Sequence, residues 1–174
     1  MCIRDRYDLQ DYHGAIADYT KAIEIDSQHS NAYSNRGIAK YDLEDYQGAI
    51  SDYTRAIEIN PQDSIAYGNR GAAKDELGDH QGAIADYNKA LKINPKDAIA
   101  YSNRGASKDE LKDYQGAIAD YNKAIEINPQ YADAYENRGI ARELANDLEG
   151  ACRDWRKAAD LGKERSAEWV KDQC

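Results

Sequence analysis

A period of 34 residues runs through almost the whole chain of 174 residues. Residues 98–131 repeat residues 64–97 with 25 of 34 positions identical. Tyrosines and glycines recur at the same interval, as Tyr33, Tyr67, Tyr101 and Tyr135 and as Gly37, Gly71, Gly105 and Gly139. A fixed period of this length is typical of a solenoid, in which each unit buries its apolar side chains only against its neighbours. The period therefore predicts a repeat architecture and favours a binding scaffold.

The second half of each repeat has the pattern of an amphipathic α-helix. In residues 114–127 the apolar and small side chains follow helical spacing, at Tyr114, Ala117, Ile118, Tyr121, Ala124 and Ile125. An aspartate stands at the N-cap position before each such segment, at Asp11, Asp45, Asp79, Asp113 and Asp147. Asn-Pro at 60–61, 94–95 and 128–129 ends the segment, because proline disfavours a helical residue before it and cannot donate.

The first half of each repeat, such as residues 98–111, contains no helix breaker except the recurrent glycine. A glycine inside a helix costs about 1 kcal/mol relative to alanine. Its presence in four successive repeats predicts a place where two helix backbones approach closely. Each repeat is therefore predicted to be a hairpin of two helices, since no segment has the period of two that strands require.

This pattern resembles the tetratricopeptide repeat, or TPR. The match is carried by residues in the same order and spacing as the family pattern, at Tyr101, Gly105, Tyr114, Ala117, Tyr121, Ala124 and Pro129. The chain departs from that pattern where the family often has an aromatic residue, at Lys40, Lys74, Lys108 and Arg142. The resemblance implies an all-α, right-handed solenoid of antiparallel helix hairpins.

The 34-residue register divides the chain into units. A partial TPR unit at 6–29 precedes full units at 30–63, 64–97 and 98–131 and a divergent unit at 132–163. In the divergent unit Leu161-Gly162 replaces Ile-Asn-Pro, and glycine in that place is a helix C-cap signal. Residues 164–174 then form a polar segment with one apolar edge, which predicts a capping helix over 164–173.

The first residues do not keep the register. The sequence Met-Cys-Ile-Arg-Asp matches translated sequencing adapter, so we expect residues 1–5 to be a non-native artefact. The natural chain is then expected to continue upstream.

Charge and composition narrow the classes of partner. Lys plus Arg number 23 and Asp plus Glu number 32, which gives a net charge of −9 and a pI of about 4.8. Duplex nucleic acid and anionic membranes are therefore poor partners. A preference for neutral or basic protein segments is indicated by polar and acidic residues in the first halves of the repeats, at Tyr41, Asp42, Asp75, Glu76, Asp109, Glu110, Asp133 and Glu136. Three cysteines without a CxxC motif argue against a disulfide-built secreted scaffold and a metal site, and they favour a cytoplasmic location.

The sequence contains no convergent set of catalytic residues. His13, His29 and His80 lie in different contexts, and none has a second ligand at helical metal spacing. No GxSxG, phosphate loop or GxGxxG motif is present. We therefore expect a protein that is not an enzyme and needs no cofactor.

The resemblance also identifies candidate ligand-binding residues. In the family, the first helix of each hairpin lines a concave groove, and an asparagine two residues before the glycine can contact a bound peptide. The corresponding ladder here is Asn35, Asn69, Asn103 and Asn137. A carboxamide both donates and accepts, so it can hold a peptide backbone without reading its sequence. The alternative is that these asparagines bond neighbouring helices or face water.

Side chains next to the ladder are expected to set specificity. Those one residue before an asparagine are Ser34, Gly68, Ser102 and Glu136, and those three residues after it are Ile38, Ala72, Ala106 and Ile140. These positions are small, apolar or acidic, so the groove is unlike the basic clamps with which some family members hold a terminal carboxylate.

Two further pairings are predicted. An arginine in each first helix and an aspartate in each second helix recur together, at Arg36, Arg70, Arg104 and Arg138 and at Asp52, Asp86, Asp120 and Asp154, so we expect ion pairs across the hairpins. A fold-back at Gly162 would bring Cys152 near Cys174. These cysteines form either a disulfide or one buried and one terminal thiol.

The sequence thus favours a non-catalytic scaffold that binds a protein or peptide segment in the groove. Two alternatives remain open. The chain is a regulatory or targeting region of a larger enzyme, or it self-associates through the apolar face of residues 11–25.

Overall fold

A computed structural model describes residues 11–174, which form ten α-helices. They fall into two compact units with a boundary after Asn94. The helices of the first are α1 Tyr12–Ile25, α2 Ser30–Asp42, α3 Tyr46–Ile59, α4 Ser64–Glu76 and α5 His80–Ile93. Those of the second are α6 Ala98–Glu110, α7 Tyr114–Ile127, α8 Ala132–Leu144, α9 Leu148–Asp160 and α10 Glu164–Gln173. The expectations for residues 1–5 and for the start of the partial unit lie outside the described residues.

Within each unit every helix packs against the next one along the chain. The contacts are most extensive inside the hairpins α2–α3, α4–α5, α6–α7 and α8–α9. The predicted fold class, an all-α solenoid of helix hairpins, is confirmed.

Local side-chain chemistry sets the helix ends as predicted. The carboxylate of Asp113 accepts a hydrogen bond of 3.0 Å from the backbone N–H of Gly116, and the four other cap aspartates do the same in their own helices. At the other end, Asn128 leaves the helical conformation with φ −128° and ψ 91°. The helix predicted over 114–127 is observed as Tyr114–Ile127.

The recurrent glycine makes room for an aromatic ring, so the prediction that it marks an approach of two helix backbones is wrong. A Cβ atom at Gly71 would lie 2.9 Å from Cε1 of Tyr87, and Gly37 and Gly105 face Tyr53 and Tyr121 in the same way. These three tyrosines are almost fully buried. In the last hairpin Trp155 takes the place of the tyrosine and packs on Gly139.

The C-terminal helix closes the second unit. The chain turns at Gly162, which has φ +96°, and α10 then packs on α9. The rings of Trp155 and Trp169 lie 5.1 Å apart between their centroids. Cys152 and Cys174 are joined in a disulfide with their Cα atoms 5.7 Å apart, so the structure has the bridged one of the two predicted forms.

Candidate functional site

A buried ion-pair cluster lies inside each of the four hairpins. Arg36 donates from Nε and Nη2 to the two carboxylate oxygens of Asp52, at 2.8 and 2.7 Å, and Nζ of Lys40 lies 2.8 Å from Asp52 Oδ2. The Asp52 side chain is only 5% exposed. We call this set the cation–aspartate cluster, and it recurs as Arg70, Lys74 and Asp86, as Arg104, Lys108 and Asp120, and as Arg138, Arg142 and Asp154.

The predicted arginine–aspartate pairs are thus confirmed. Because each aspartate is buried, the value of about 0–1 kcal/mol for an exposed pair does not apply to them. The second cation of each cluster comes from the position that departs from the family pattern. The recurrence of a basic residue at that position in all four repeats was the sequence feature that could have predicted this second cation.

The arginines are occupied by structural contacts. Arg36 Nη1 donates to Thr20 Oγ1 at 3.0 Å in the preceding helix pair, and Arg70 Nη1 donates to Thr54 Oγ1 at 3.1 Å. Each guanidinium also lies over the tyrosine three residues before it, 5.3 to 5.6 Å from the ring centroid. The arginines therefore stabilise the hairpins and are not available to a ligand.

The ladder asparagines have free carboxamides. None of the four forms a side-chain hydrogen bond to another residue in the described range 11–174. Asn35 is exposed, and Asn69, Asn103 and Asn137 are half-buried. Hydrogen bonds to neighbouring helices, one of the alternatives considered above, are thus absent among these residues. Two unpaired amides in each unit leave donors and acceptors for a ligand or for water.

Two exposed isoleucines share a helix face with the ladder. Ile65 lies one turn before Asn69 and is 66% exposed, and Ile99 lies one turn before Asn103 and is 62% exposed. The sequence pattern did not indicate these two residues, because the position is apolar in only two of the four repeats. In the other two it is occupied by Asn31 and Asp133.

The same helix face continues beyond each asparagine. Three residues later it carries an alanine or isoleucine, and four residues after that it carries an acid in three of the four helices. We call the pair of four-residue stripes in each compact unit its ladder face. The members in the first unit are Asn31, Asn35, Ile38 and Asp42, and Ile65, Asn69, Ala72 and Glu76; those in the second are Ile99, Asn103, Ala106 and Glu110, and Asp133, Asn137, Ile140 and Leu144. Ala106 is exposed and Ala72 half-buried, whereas Ile38 also packs against the core cluster that contains Tyr53.

Ser34 and Ser102, which were predicted beside the ladder as groove residues, are buried and do not belong to the ladder face. The Oγ atom of Ser34 is buried and has no hydrogen-bond partner among the described residues. Ser102 is hydrogen-bonded to the side chain of Tyr131, the N-cap residue of α8, and at the equivalent position Glu136 accepts a bond of 2.6 Å from Ser166 of α10. The positions of Ser102 and Glu136 therefore contribute to packing against the helices that follow.

Several acidic residues of the first helices are engaged within the protein. Asp75 accepts from Tyr87 Oη at 3.1 Å and lies 3.0 Å from Nδ1 of His80, the first residue of α5. Tyr121 Oη donates to Asp109 at 2.9 Å. Burial raises the pKa of Asp109 to about 6, and the negative charges of Glu110 and Asp113 add to this shift. The acids of the ladder face that are exposed are Asp42, Glu76 and Glu110, and Glu76 accepts a hydrogen bond of 3.2 Å from Tyr41 Oη.

The described residues hold no group of three or more potential metal-ligating side chains. Within residues 11–174, no helix has both the length and the apolar character needed to span a bilayer.

Comparisons with known proteins agree with this geometry. A family model described as TPR repeat matches residues 4–43 and 110–146, and another described as tetratricopeptide repeat matches residues 30–63 and 64–97. A sequence search of curated proteins finds no match.

Solved structures share the fold. The crystal structure of MamA is 24% identical, with 96% of this chain and 98% of that chain covered and a TM-score of 0.86. YrrB, described as a TPR protein with an unusual peptide-binding site, is 22% identical, with coverages of 98% and 88% and a TM-score of 0.81. The Arabidopsis OM64 TPR domain is 33% identical, with coverages of 66% and 94% and a TM-score of 0.65. The chain therefore belongs to the tetratricopeptide repeat family, whose helical solenoids serve as protein-interaction scaffolds.

Proposed function

We propose that the protein is a non-catalytic scaffold that binds an extended peptide segment of a protein partner on the ladder face of each unit. The observation that carries the proposal is the set of four asparagine carboxamides without an intramolecular hydrogen bond among the described residues. A peptide backbone presents alternating donors and acceptors, and a carboxamide can bond to both. Each such bond contributes about 1 kcal/mol when it replaces contacts with water.

The rest of the ladder face indicates the character of the segment. Ile65 and Ile99 offer exposed apolar surface, one in each unit, that an aliphatic or aromatic side chain of the ligand can cover. Three of the four stripes end, at the C-terminal end of the helix, in an exposed acid, namely Asp42, Glu76 or Glu110. A segment with apolar residues and a basic residue complements this arrangement.

The relatives support the same class of ligand. YrrB is described as having a peptide-binding site, and it shares the fold over nearly its whole length. We extend peptide binding to this chain as part of the proposal. With a net charge of −9 and the ladder face free of unpaired cations, nucleic acid and anionic membranes are not proposed as partners.

The proposal is tested by selecting peptides from a random display library against the full chain and measuring the affinity of the best peptide by calorimetry. The test variant carries Asn35→Ala, Asn69→Ala, Asn103→Ala and Asn137→Ala. The matched control carries Gln47→Ala, Gln81→Ala and Gln115→Ala, which removes exposed carboxamides from the second helices. Circular dichroism establishes that all three proteins are equally folded.

We expect the asparagine variant to bind the peptide at least about tenfold more weakly, which corresponds to about 1.4 kcal/mol. The glutamine variant should bind like the wild type. Equal affinities for all three proteins, or a loss confined to the glutamine variant, would place binding away from the ladder face.

A further inference from the structure

A second surface feature lies in the first unit, away from the ladder face. A cavity of about 320 Å³ opens between the loop before α4 and the C-terminal end of α5. Its lining residues are Pro61, Gln62, Tyr67, Lys89, Lys92 and Ile93. Neither lysine forms an ion pair with any residue between 11 and 174. Two ammonium groups thus face one cavity in a chain whose net charge is −9.

Two other second helices, α3 and α7, carry an ion pair at this position. Arg55 Nη1 lies 2.9 Å from Glu58 in α3, and Lys123 Nζ lies 2.6 Å from Glu126 in α7. Lys92 stands where the glutamate stands in those helices. The exchange of one acid for a base removes the pair and leaves both lysines of α5 unneutralised.

We propose that this cavity binds a carboxylate side chain, best a glutamate, from an acidic segment of a protein partner. Lys89 and Lys92 supply charge-assisted hydrogen bonds to the carboxylate. Pro61, Ile93 and the half-buried ring of Tyr67 supply an apolar wall for the methylene groups of the same side chain. The cavity lies between a loop and a second helix, so this contact is additional to peptide binding on the first helices.

The second unit contains a natural control. A cavity of about 430 Å³ occupies the equivalent place and is lined by Pro95, Lys96, Tyr101, Lys123, Glu126 and Ile127. There the carboxylate of Glu126 already neutralises Lys123, as a ligand would in the first unit. The two cavities share the proline, tyrosine, lysine and isoleucine, and they differ at two positions, where Lys92 and Gln62 of the first correspond to Glu126 and Lys96 of the second.

The test is an NMR titration of the full chain at 0.15 M salt with N-acetyl-tetraglutamate amide, with N-acetyl-tetraglutamine amide as the neutral probe and with inorganic phosphate as a second anion. Two variants are titrated in parallel. Lys92→Glu restores the acid present in the other repeats, so it should fold like the wild type, which circular dichroism checks. Glu126→Lys transfers the proposed cation pair to the cavity of the second unit.

We expect saturable shifts of the Lys89 and Lys92 side-chain resonances with tetraglutamate and none with tetraglutamine. Lys92→Glu should weaken binding at least about tenfold, because it sets a like charge against the ligand. Glu126→Lys should add shifts at Lys123 and Tyr101. The proposal is overturned by the absence of saturable shifts in the wild type, by unchanged binding in Lys92→Glu, or by inorganic phosphate binding as tightly as tetraglutamate. None of these outcomes depends on the ladder asparagines.

Discussion

At the scale of single residues, each hairpin depends on one aspartate held between two cations. Asp86 accepts from Arg70 at 2.6 and 2.8 Å and lies 2.7 Å from Lys74 Nζ. Asp86→Asn would leave both cations partly buried without a counter-charge. We expect a loss of about 3 kcal/mol in the free energy of unfolding, measured by urea denaturation.

The matched control is Lys74→Met. This change leaves the two hydrogen bonds between Arg70 and Asp86 in place and should cost less than half as much. Equal losses in the two variants would show that the carboxylate does not organise the cluster.

A pair of glycines on α4 separates steric need from helix propensity. A Cβ at Gly71 would lie 2.9 Å from the buried ring of Tyr87, whereas a Cβ at Gly68 would meet no atom within 4 Å. Gly71→Ala should therefore destabilise the protein by about 2 kcal/mol through overpacking. Gly68→Ala should stabilise it by up to about 1 kcal/mol, because alanine is the better helix former. Thermal unfolding of the two variants distinguishes the effects, and stabilisation by both would refute the close approach to Tyr87.

The ionisation of Asp109 makes stability depend on pH. Its pKa is about 6 in the folded protein and 3.8 ordinarily, so the folded state binds more protons between these values. The charged form therefore costs stability above pH 6, and this cost disappears as the pH falls below about 4.

The variant Asp109→Asn keeps an acceptor for Tyr121 and removes the charge. Allowing for the partial exposure of the group, we expect it to be about 1 kcal/mol more stable than the wild type at pH 7. At pH 4 the two proteins should be equally stable in urea denaturation. A stability difference that does not change between pH 4 and pH 7 would contradict the assignment.

At the scale of the helices, the turn inside each hairpin needs a residue in the left-handed region. Gly78 has φ +78° there, but Glu44, Lys112 and Asn146 adopt φ values of 61°, 62° and 63°. A residue with a Cβ pays about 1–2 kcal/mol for this conformation. Lys112→Gly should therefore raise the free energy of unfolding by about 1 kcal/mol, and Gly78→Lys should lower it by a similar amount. Calorimetric melting of the two variants measures both changes in stability. A lower melting temperature for Lys112→Gly than for the wild type would contradict the expected cost of the left-handed conformation.

The helix ends could be predicted because they depend on neighbours in sequence. The carboxylate of Asp113 reaches a backbone N–H only three residues away, and proline acts on the residue before it. The role of the recurrent glycine could not be predicted in the same way. Its partner ring, such as Tyr87 for Gly71, comes from the other helix, and no local pattern shows which side chain crosses the hairpin.

At the scale of the whole molecule, the 34-residue period was sufficient to predict the fold class, since the same hairpin must pack on its neighbours throughout. The candidate site was predicted in part. The asparagines followed from the repeat, whereas Ile65 and Ile99 did not, because that position varies between repeats. Ser34 and Ser102 were misplaced, because one step along a helix rotates a side chain by about 100° and here turns it away from the ladder face into a buried position.

The central claim is that a peptide binds to the carboxamides of the first helices. The most direct measurement is the NMR spectrum of the side-chain amide groups with and without the selected peptide. We predict saturable shifts of the resonances of Asn35, Asn69, Asn103 and Asn137, while those of Gln47, Gln81 and Gln115 stay in place. Shifts of the glutamine amides with unmoved asparagine amides would contradict the account.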